Sequence, residues 1–167
     1  MIVIVFGLPG TGKSYFASRL AAKIESDYIN SDRVRKKMFL DTTYSIEEKL
    51  SVYEEMLSQM VHAIEQKKTL VLDATFYKDD IRKKFMQKAG INILFIEVKA
   101  DAAVIEERLK EKRSHSDADF EVYKILQAEF EPMKESHLIL YSTNDNINDM
   151  VNTAMNYLKV SDDEGTG

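Results

Sequence analysis

Five short apolar runs, each followed by a segment with apolar residues at helical spacing, organise the chain. The first run covers residues 1–6 and is apolar throughout, as a strand buried on both faces of a parallel sheet requires. Further runs at 27–30, 69–76, 91–99 and 137–143 have the same strand-like character. Strands and helices that alternate in this way predict an α/β fold, with a five-stranded parallel sheet and helices on both of its faces.

The segments between the runs predict the helices. We expect helices over 13–26, 31–39, 46–67, 78–90, 100–113, 117–130 and 146–160. Ser31 and Asp32 are suitable N-cap residues for the second of these helices. In the helix over 46–67, the stripe expected to face the core consists of Leu50, Tyr53, Leu57, Met60, Val61 and Ile64. We expect a single domain over 1–160, followed by a flexible acidic tail at 161–167.

The composition narrows the class of protein. A chain of 167 residues, of which 44% are hydrophobic and 31% charged, is suited to one ordered globular domain. The absence of cysteine from the sequence excludes disulfides, thiolate zinc sites and cysteine nucleophiles. No apolar run approaches the roughly 20 residues needed to cross a bilayer, so we expect a cytoplasmic protein with no membrane partner. The net charge of −5 argues against broad, sequence-independent binding to nucleic acid.

The stretch GLPGTGKS, from Gly7 to Ser14, lies between the first strand and the first helix and matches the phosphate-binding pattern G-x-x-x-x-G-K-[ST]. Its glycines allow backbone N–H groups to turn towards phosphate oxygens at the positive end of the helix. We expect ATP and Mg²⁺ as cofactors, with Lys13 at the β- and γ-phosphates and the Ser14 hydroxyl on Mg²⁺. The loop residues expected at the nucleotide are Gly7, Pro9, Gly10, Thr11, Gly12, Lys13, Ser14 and Tyr15.

Two motifs of guanine-specific GTPases are missing from the sequence. The third strand is followed by DATF at 73–76 rather than D-x-x-G, and the nearest string to N-K-x-D is VKAD at 98–101. A kinase needs instead a base for the acceptor hydroxyl, a cation for the acceptor, and arginines for the transferred phosphoryl group. We therefore expect a kinase that transfers the γ-phosphoryl group of ATP to a hydroxyl. A non-catalytic nucleotide-binding regulatory module is the alternative from another class.

Candidates for these groups lie at strand ends and in a short polar segment. Asp32 and Arg35 are three residues apart at a helix start after the second strand, which suits a general base and an acceptor clamp. Asp73 ends the third strand, where a buried carboxylate needs a cation such as Mg²⁺ or Arg35, and we place it with Arg35 at the substrate. Arg108 and Arg113 flank a helix end, so we expect a short helical lid around 108–120. Arg108 is expected at the nucleotide and Arg113 at the triphosphate.

The stretches GLPGTGKS, SDRVR, LDATF and ERLKEKRSHSDAD follow one another in this order. With them the chain resembles the small P-loop kinase family related to phage polynucleotide kinase and to zeta toxins, over nearly its whole length. The resemblance implies a P-loop NTPase fold with the strand order 2-3-1-4-5. It also implies a catalytic base at Asp32, an acceptor-binding role for Arg35 and a lid arginine at Arg113.

Two basic clusters are expected to edge the acceptor crevice. They are Arg33, Arg35, Lys36 and Lys37 after the second strand, and Lys78, Arg82, Lys83, Lys84 and Lys88 after the third. Such charge suits a phosphate-bearing acceptor, so a 5′-hydroxyl polynucleotide or a nucleotide is one candidate. A small metabolite is the other candidate, and in that case the basic residues belong to solvated helix faces. The sequence leaves the oligomeric state open.

Overall fold

A computed structural model describes residues 1–111 and 116–164, with side chains for 1–111 and 120–160. Its strands are β1 (Ile2–Phe6), β2 (Asp27–Asn30), β3 (Leu70–Ala74), β4 (Ile93–Lys99) and β5 (Leu138–Tyr141). All of them run parallel in one sheet with the order β2-β3-β1-β4-β5. The predicted sheet and its strand order are thereby confirmed.

Strand β1 lies at the centre of the sheet, and all five of its residues are apolar and buried. Its residue Val5 is in register with Asp73 on β3 and with Ile96 on β4. The carboxyl ends of β1 and β3 therefore lie side by side. The glycine-rich loop after β1 and the polar end of β3 meet at this edge, where ligands bind in parallel α/β sheets.

Helices cover both faces of the sheet, as predicted. They are α1 (Lys13–Lys23), α2 (Ser31–Met38), α3 (Ile46–Glu65), α4 (Asp79–Ala89), α5 (Ala102–Glu111), α6 (Ser116–Glu129) and α7 (Ile147–Glu164). Val3 and Val5 of β1 pack against α1 and α7 on one face. Ile2, Ile4 and Phe6 pack against α2, α3 and α4 on the other. Alternate side chains of one strand point to opposite faces, so a fully apolar β1 supplies both cores.

The cap of α2 is Asn30, and the prediction of Ser31 or Asp32 as the N-cap is wrong. The Asn30 side-chain oxygen accepts hydrogen bonds from the backbone N–H groups of Asp32 and Arg33, both at 3.1 Å. Asn30 still has the extended conformation of β2, which an N-cap residue requires. As a result, the Asp32 carboxylate is not used as a cap and is available for other contacts.

Helix α3 packs most of its predicted stripe on the core, with Met60 buried and Tyr53, Leu57 and Ile64 partly buried against it. Leu50, the first residue of the predicted stripe, is 46% exposed. Glu48 in the first turn is buried instead and forms an ion pair with Arg35 of α2, with 2.9 Å between Oε1 and Nε. The first turn of α3 is thus held by a polar contact, and its apolar burial begins at Val52. The apolar residues of α3 that the core buries are Val52, Met56, Met60 and Ala63.

Two predictions concern chain segments near the limits of the described residues. Helix α7 runs to Glu164, so residues 161–164 belong to it and not to the predicted tail. The predicted lid falls partly on 112–115, and Arg113 with it; these residues and 165–167 lie outside the described ones. Across the described ranges, no helix combines the length and the apolar character that a bilayer crossing demands.

Candidate active site

The loop between β1 and α1 has a backbone that its glycines permit. Gly12 has a φ of 85° and directly precedes α1, a left-handed conformation that glycine adopts without strain. Gly7 has a φ of 148°, and a Cβ atom at this position would overlap the carbonyl oxygen of Val98 on β4. The glycine spacing of the motif is therefore required by close packing on β4 and by the start of α1.

Polar contacts from α5 and from the end of β5 hold this loop in place. Ser142 donates a hydrogen bond to the carbonyl oxygen of Thr11. Arg108 donates to the carbonyl oxygen of Gly10 at 3.2 Å and to the Ser142 hydroxyl at 2.8 Å. The Thr11 hydroxyl donates to the carbonyl oxygen of Leu8 at 2.8 Å. Arg108 thus lies beside the loop, and the Thr11 side chain stabilises the loop itself; a contact of Arg108 with the nucleotide stays a prediction.

A first cleft of about 490 Å³ opens on one side of the loop. It is lined by six residues predicted to contact the nucleotide, namely Gly10, Gly12, Lys13, Ser14, Tyr15 and Arg108. Asn144, Ile147 and Met150, from the segment after β5 and from α7, complete its far side. Of the other predicted nucleotide contacts, Gly7 packs on β4, Thr11 turns into the loop, and Pro9 borders a second cleft.

The second cleft has a volume of about 540 Å³ and lies between the loop, α2, α3 and α6. Its polar lining includes Asp32, Arg35 and Lys49, and its apolar lining comes partly from α6. Lys13 and Ser14 border both clefts. Phosphates bound along the loop from the first cleft would therefore end where the second cleft begins.

Asp32 and Arg35 come together in the second cleft, as the sequence predicts. Arg35 donates to Asp32 Oδ1 at 2.8 Å, and the Asp32 side chain is 68% exposed. Arg35 itself is buried, because the carboxylate of Glu48 holds its other side. Burial by itself raises the pKa of Glu48, but hydrogen bonds from Thr43 and Tyr44 and the charge of Arg35 outweigh it and lower that pKa. Glu48 is thus an anion that fixes Arg35 against Asp32.

Asp73 does not line the second cleft, so the structure does not bring it together with Arg35 there. It is fully buried, and its Oδ2 accepts hydrogen bonds from the Tyr28 hydroxyl at 2.8 Å and from Asn30 Nδ2 at 2.6 Å. Arg35 is not its partner, because Glu48 and Asp32 hold that guanidinium. Burial, followed by the charge of Asp73, raises the pKa of the Tyr28 hydroxyl, which keeps it a donor to the carboxylate.

The residues around Ser14 fit a magnesium ion. Oδ1 of Asp73 is buried and has no hydrogen-bond partner among the described residues. Asn30 Nδ2 links the two candidate ligands, because it lies 2.6 Å from Asp73 Oδ2 and 3.4 Å from the Ser14 hydroxyl oxygen. A buried carboxylate oxygen without a donor needs a cation nearby. The described residues contain no group of three or more acidic or histidine side chains that could hold a metal alone, so phosphate oxygens would complete the coordination.

A comparison with protein-family models matches residues 2–133 to a model described as an AAA domain. The chain belongs to the AAA domain family. No curated protein matches this sequence. The matched range of this AAA domain protein contains the loop from Gly7 to Ser14, both partners of the Asp32–Arg35 pair, and Asp73.

Solved structures share the fold of this AAA domain protein at low sequence identity. An unliganded sugar kinase from a Janibacter species is 15% identical with a TM-score of 0.75, and the match covers 95% of this chain and 94% of that one. A gluconokinase from Sinorhizobium meliloti is 14% identical with a TM-score of 0.74 over 98% and 95% of the two chains. The APS kinase of Mycobacterium tuberculosis, in complex with AMPPNP and APS, is 19% identical with a TM-score of 0.72 over 95% and 96%. These matches establish the P-loop NTPase fold. The narrower likeness to phage polynucleotide kinase and zeta toxins stays a prediction.

Sequence reasoning missed several residues of this AAA domain site. Asn30 directly precedes SDRVR at the end of a strand, and this position could have identified it as the cap of α2. Tyr28 and Glu48 contact Asp73 and Arg35 across 45 and 13 positions of the chain, as their numbers give, and no local pattern marks such pairs. No sequence motif marks Lys49 either, because its place in the cleft depends on how α3 packs beside α2.

Proposed function

We propose that this chain is an ATP- and Mg²⁺-dependent kinase that transfers the γ-phosphoryl group to a hydroxyl of a small molecule. The observation that carries the proposal is the shared border of the two clefts. Lys13 and Ser14 line both the cleft beside the phosphate-binding loop and the cleft that contains Asp32. A triphosphate in the first cleft and a hydroxyl in the second would meet at these two residues, as direct transfer requires.

Each polar group near this border has a part in the proposed reaction. Asp32 would accept the proton of the acceptor hydroxyl, because its second oxygen has no partner among the described residues and its side chain is exposed. Arg35 would orient Asp32 and face the acceptor. Lys13 would hold the β- and γ-phosphates, and Arg108 would contact the nucleotide in the first cleft. Arg113 stays a candidate for the triphosphate.

Ser14 and Asp73 would hold the magnesium ion, the hydroxyl directly and the carboxylate through its unpartnered Oδ1. Bound there, the ion would neutralise charge on the phosphate oxygens. Asn30 and Tyr28 would keep the Asp73 carboxylate in position through their hydrogen bonds.

Pairing and burial within the second basic cluster favour a small acceptor over a polynucleotide. In the second cluster, Lys83 pairs with Asp79, Lys84 pairs with Glu54, and Arg82 is fully buried. None of these three basic residues lines the acceptor cleft. A polynucleotide end would need an open row of cations along its backbone. The expectation that both clusters edge the crevice therefore holds only for Arg35.

The proposed function is tested by transfer of labelled γ-phosphate from ATP to a panel of acceptors. The panel contains nucleosides, sugars, small hydroxy acids and 5′-hydroxyl oligonucleotides, with Asp32→Asn as the matched variant. Asn keeps the size of the side chain and a hydrogen-bond acceptor for Arg35 but cannot take up the proton. We expect transfer to fall by about 100-fold or more while ATP affinity changes by less than about threefold.

The outcomes separate the alternatives. Tight ATP binding with no transfer to any acceptor would contradict the kinase and favour the regulatory module. Label on the oligonucleotide alone would restore the polynucleotide as the acceptor. Equal losses of ATP binding and transfer in Asp32→Asn would mean that Asp32 contacts the nucleotide or the metal rather than the acceptor.

A further inference from the structure

The acceptor cleft has few cations that a ligand could use. Its lining contains Lys13, Arg35 and Lys49. Arg35 already pairs with two carboxylates, those of Asp32 and Glu48. Among the side chains that the structure describes, Lys13 and Lys49 have no ion-pair partner, and the proposed function assigns Lys13 to the nucleotide phosphates. Lys49 is thus left for the acceptor, and one free cation suits one anionic group.

Lys49 lies near an aromatic ring whose residue also lines the cleft. Its Nζ atom lies 5.7 Å from the ring centroid of Tyr77, and Lys78 Nζ lies 5.6 Å from the same centroid. Lys78 already pairs with Glu131 at 3.3 Å, whereas Lys49 borders the cleft. Tyr77 therefore lies beside a cation and also lines the cleft. A ligand ring that stacked on Tyr77 would have its anionic group close to Lys49.

The remaining walls of the cleft are apolar and open. Tyr44 is 58% exposed, and Val122 and Ile125 of α6 are 50% and 57% exposed, yet all three line the cleft. Tyr44 is fixed there, because its backbone N–H donates to Glu48 and its ring lies 4.8 Å from the Arg35 guanidinium. Exposed apolar side chains that share one concave lining indicate a bound apolar surface.

Several polar groups of the lining are already used within the protein. The Asn30 oxygen accepts from two backbone N–H groups, and its amide nitrogen donates to Asp73. The Tyr53 hydroxyl accepts from the backbone N–H of Phe76 at 2.9 Å. An acyclic polyol needs a partner for nearly every hydroxyl, since unpaired polar groups in a binding site are costly. The hydroxyls of Ser31 and Thr75 also line the cleft, so a few polar groups can be paired there, and the lining fits a ring with few hydroxyls better than an acyclic polyol.

We propose that the acceptor is a small molecule with a planar ring and one anionic group, whose ring packs between Tyr44, Tyr77 and the α6 side chains Val122 and Ile125. Its anionic group contacts Lys49, and its hydroxyl reaches Asp32. The proposal rests on the proposed function, since it assigns the substrate class of the same site. In the reaction, the hydroxyl oxygen bonds to the γ-phosphorus, the bond to the β,γ-bridging oxygen breaks, ADP leaves, and Asp32 takes the hydroxyl proton.

Matched acceptors test the two recognition features. The panel pairs para-hydroxymethylbenzoate with its neutral amide, and a nucleoside with its 3′-monophosphate; gluconate and a 5′-hydroxyl oligonucleotide represent a non-planar anion and a polyanion. We expect the anionic ring compound of each pair to have the higher kcat/KM, by about tenfold or more, and gluconate and the oligonucleotide to be poor acceptors.

Substitutions of Lys49 and Ile125 test which residue recognises the anionic group and which one packs on the ring. Lys49→Met should raise KM for the anionic ring compounds by about tenfold, leave kcat within about twofold, and leave KM for the neutral partners unchanged. Lys37→Met, at an exposed lysine outside the cleft lining, should leave kcat and KM unchanged for both the anionic and the neutral compounds. Ile125→Asn should raise KM for charged and neutral ring compounds alike, whereas Ile91→Asn, at a residue 90% exposed and outside the lining, should not.

The results distinguish this proposal from the proposed function. Preferred transfer to gluconate or to the oligonucleotide would overturn the ring-and-anion acceptor and leave the kinase intact. Equal effects of Lys49→Met on charged and neutral compounds would also overturn it. Should no compound be phosphorylated, the proposed kinase is contradicted, and titration calorimetry in the presence of a non-hydrolysable ATP analogue tests the acceptor cleft separately. Binding of the anionic ring compounds that Lys49→Met weakens would support the ring-and-anion specificity of the cleft; no binding of these compounds would overturn it as well.

Discussion

Arg82 is an arginine whose whole side chain is buried, and its replacement should destabilise the fold. It is 0% exposed; its Nη1 donates to the carbonyl oxygen of Phe76 and its Nη2 to that of Glu131, both at 2.7 Å. Asp79 supplies the nearest counter-charge, at 3.7 Å. Arg82 thereby joins the segment after β3 to the segment after α6. The sequence predicts this residue at the edge of the acceptor crevice, but Arg82 does not line that cleft.

The variant Arg82→Met keeps much of the apolar stem but leaves two carbonyl oxygens without their donor. Hydrogen bonds to a charged group contribute about 1.5–3 kcal/mol each, so two bonds give a loss of about 3–6 kcal/mol. Methionine packing offsets part of this loss, because the guanidinium lies 5.8 Å from the ring centroid of Phe6 and a thioether also packs well there. We expect the free energy of unfolding to fall by about 4 kcal/mol, which for this chain length lowers Tm by about 8–16 °C.

Urea denaturation followed by circular dichroism measures this change, with Lys83→Met as the control. Lys83 also pairs with Asp79, at 2.6 Å, but its side chain is 54% exposed, so its loss should cost less than about 1 kcal/mol. A loss below about 1 kcal/mol for Arg82→Met would refute the argument, since the two carbonyl oxygens would then have found other donors. Equal losses of unfolding free energy for the two variants would show that the ion pair with Asp79, and not the hydrogen bonds to the two carbonyl oxygens, stabilises the fold.

Three further predictions follow from the site. Lys13→Ala should lower kcat/KM by about 100-fold or more with unchanged circular dichroism, and an active variant would remove the loop from the mechanism. Asp73→Asn should raise the Mg²⁺ concentration for half-maximal rate by about 10–100-fold; an unchanged Mg²⁺ dependence would contradict its role. Burial raises the pKa of Tyr28 and Tyr53 above 10.0 in the folded protein. Stability should therefore be complete below about pH 10 and fall as the pH rises further, less so in Tyr28→Phe; a urea midpoint that stays constant would disprove this.

The sequence by itself determined the architecture and the position of the phosphate-binding loop. The fully apolar run of β1 requires burial on both faces, and the glycine spacing from Gly7 to Gly12 requires a tight loop before α1. Both are local consequences of residue type and period, so they can be recognised without tertiary contacts. The pair of Asp32 and Arg35 was predictable for the same reason, because residues three apart on a helix lie on one side.

Only the tertiary structure decided which charges face the cleft and which are used elsewhere. Arg82 and Lys49 are both basic residues on amphipathic helices, yet one is fully buried and the other borders the acceptor cleft. The difference depends on tertiary contacts, because the buried Glu48–Arg35 ion pair joins α3 to α2 beside the cleft and two carbonyl oxygens accept from Arg82. The contacts of Asp73 with Tyr28 and Asn30 likewise join β3 to β2. Contacts between distant segments leave no periodic pattern, because each depends on the packing of both elements at once.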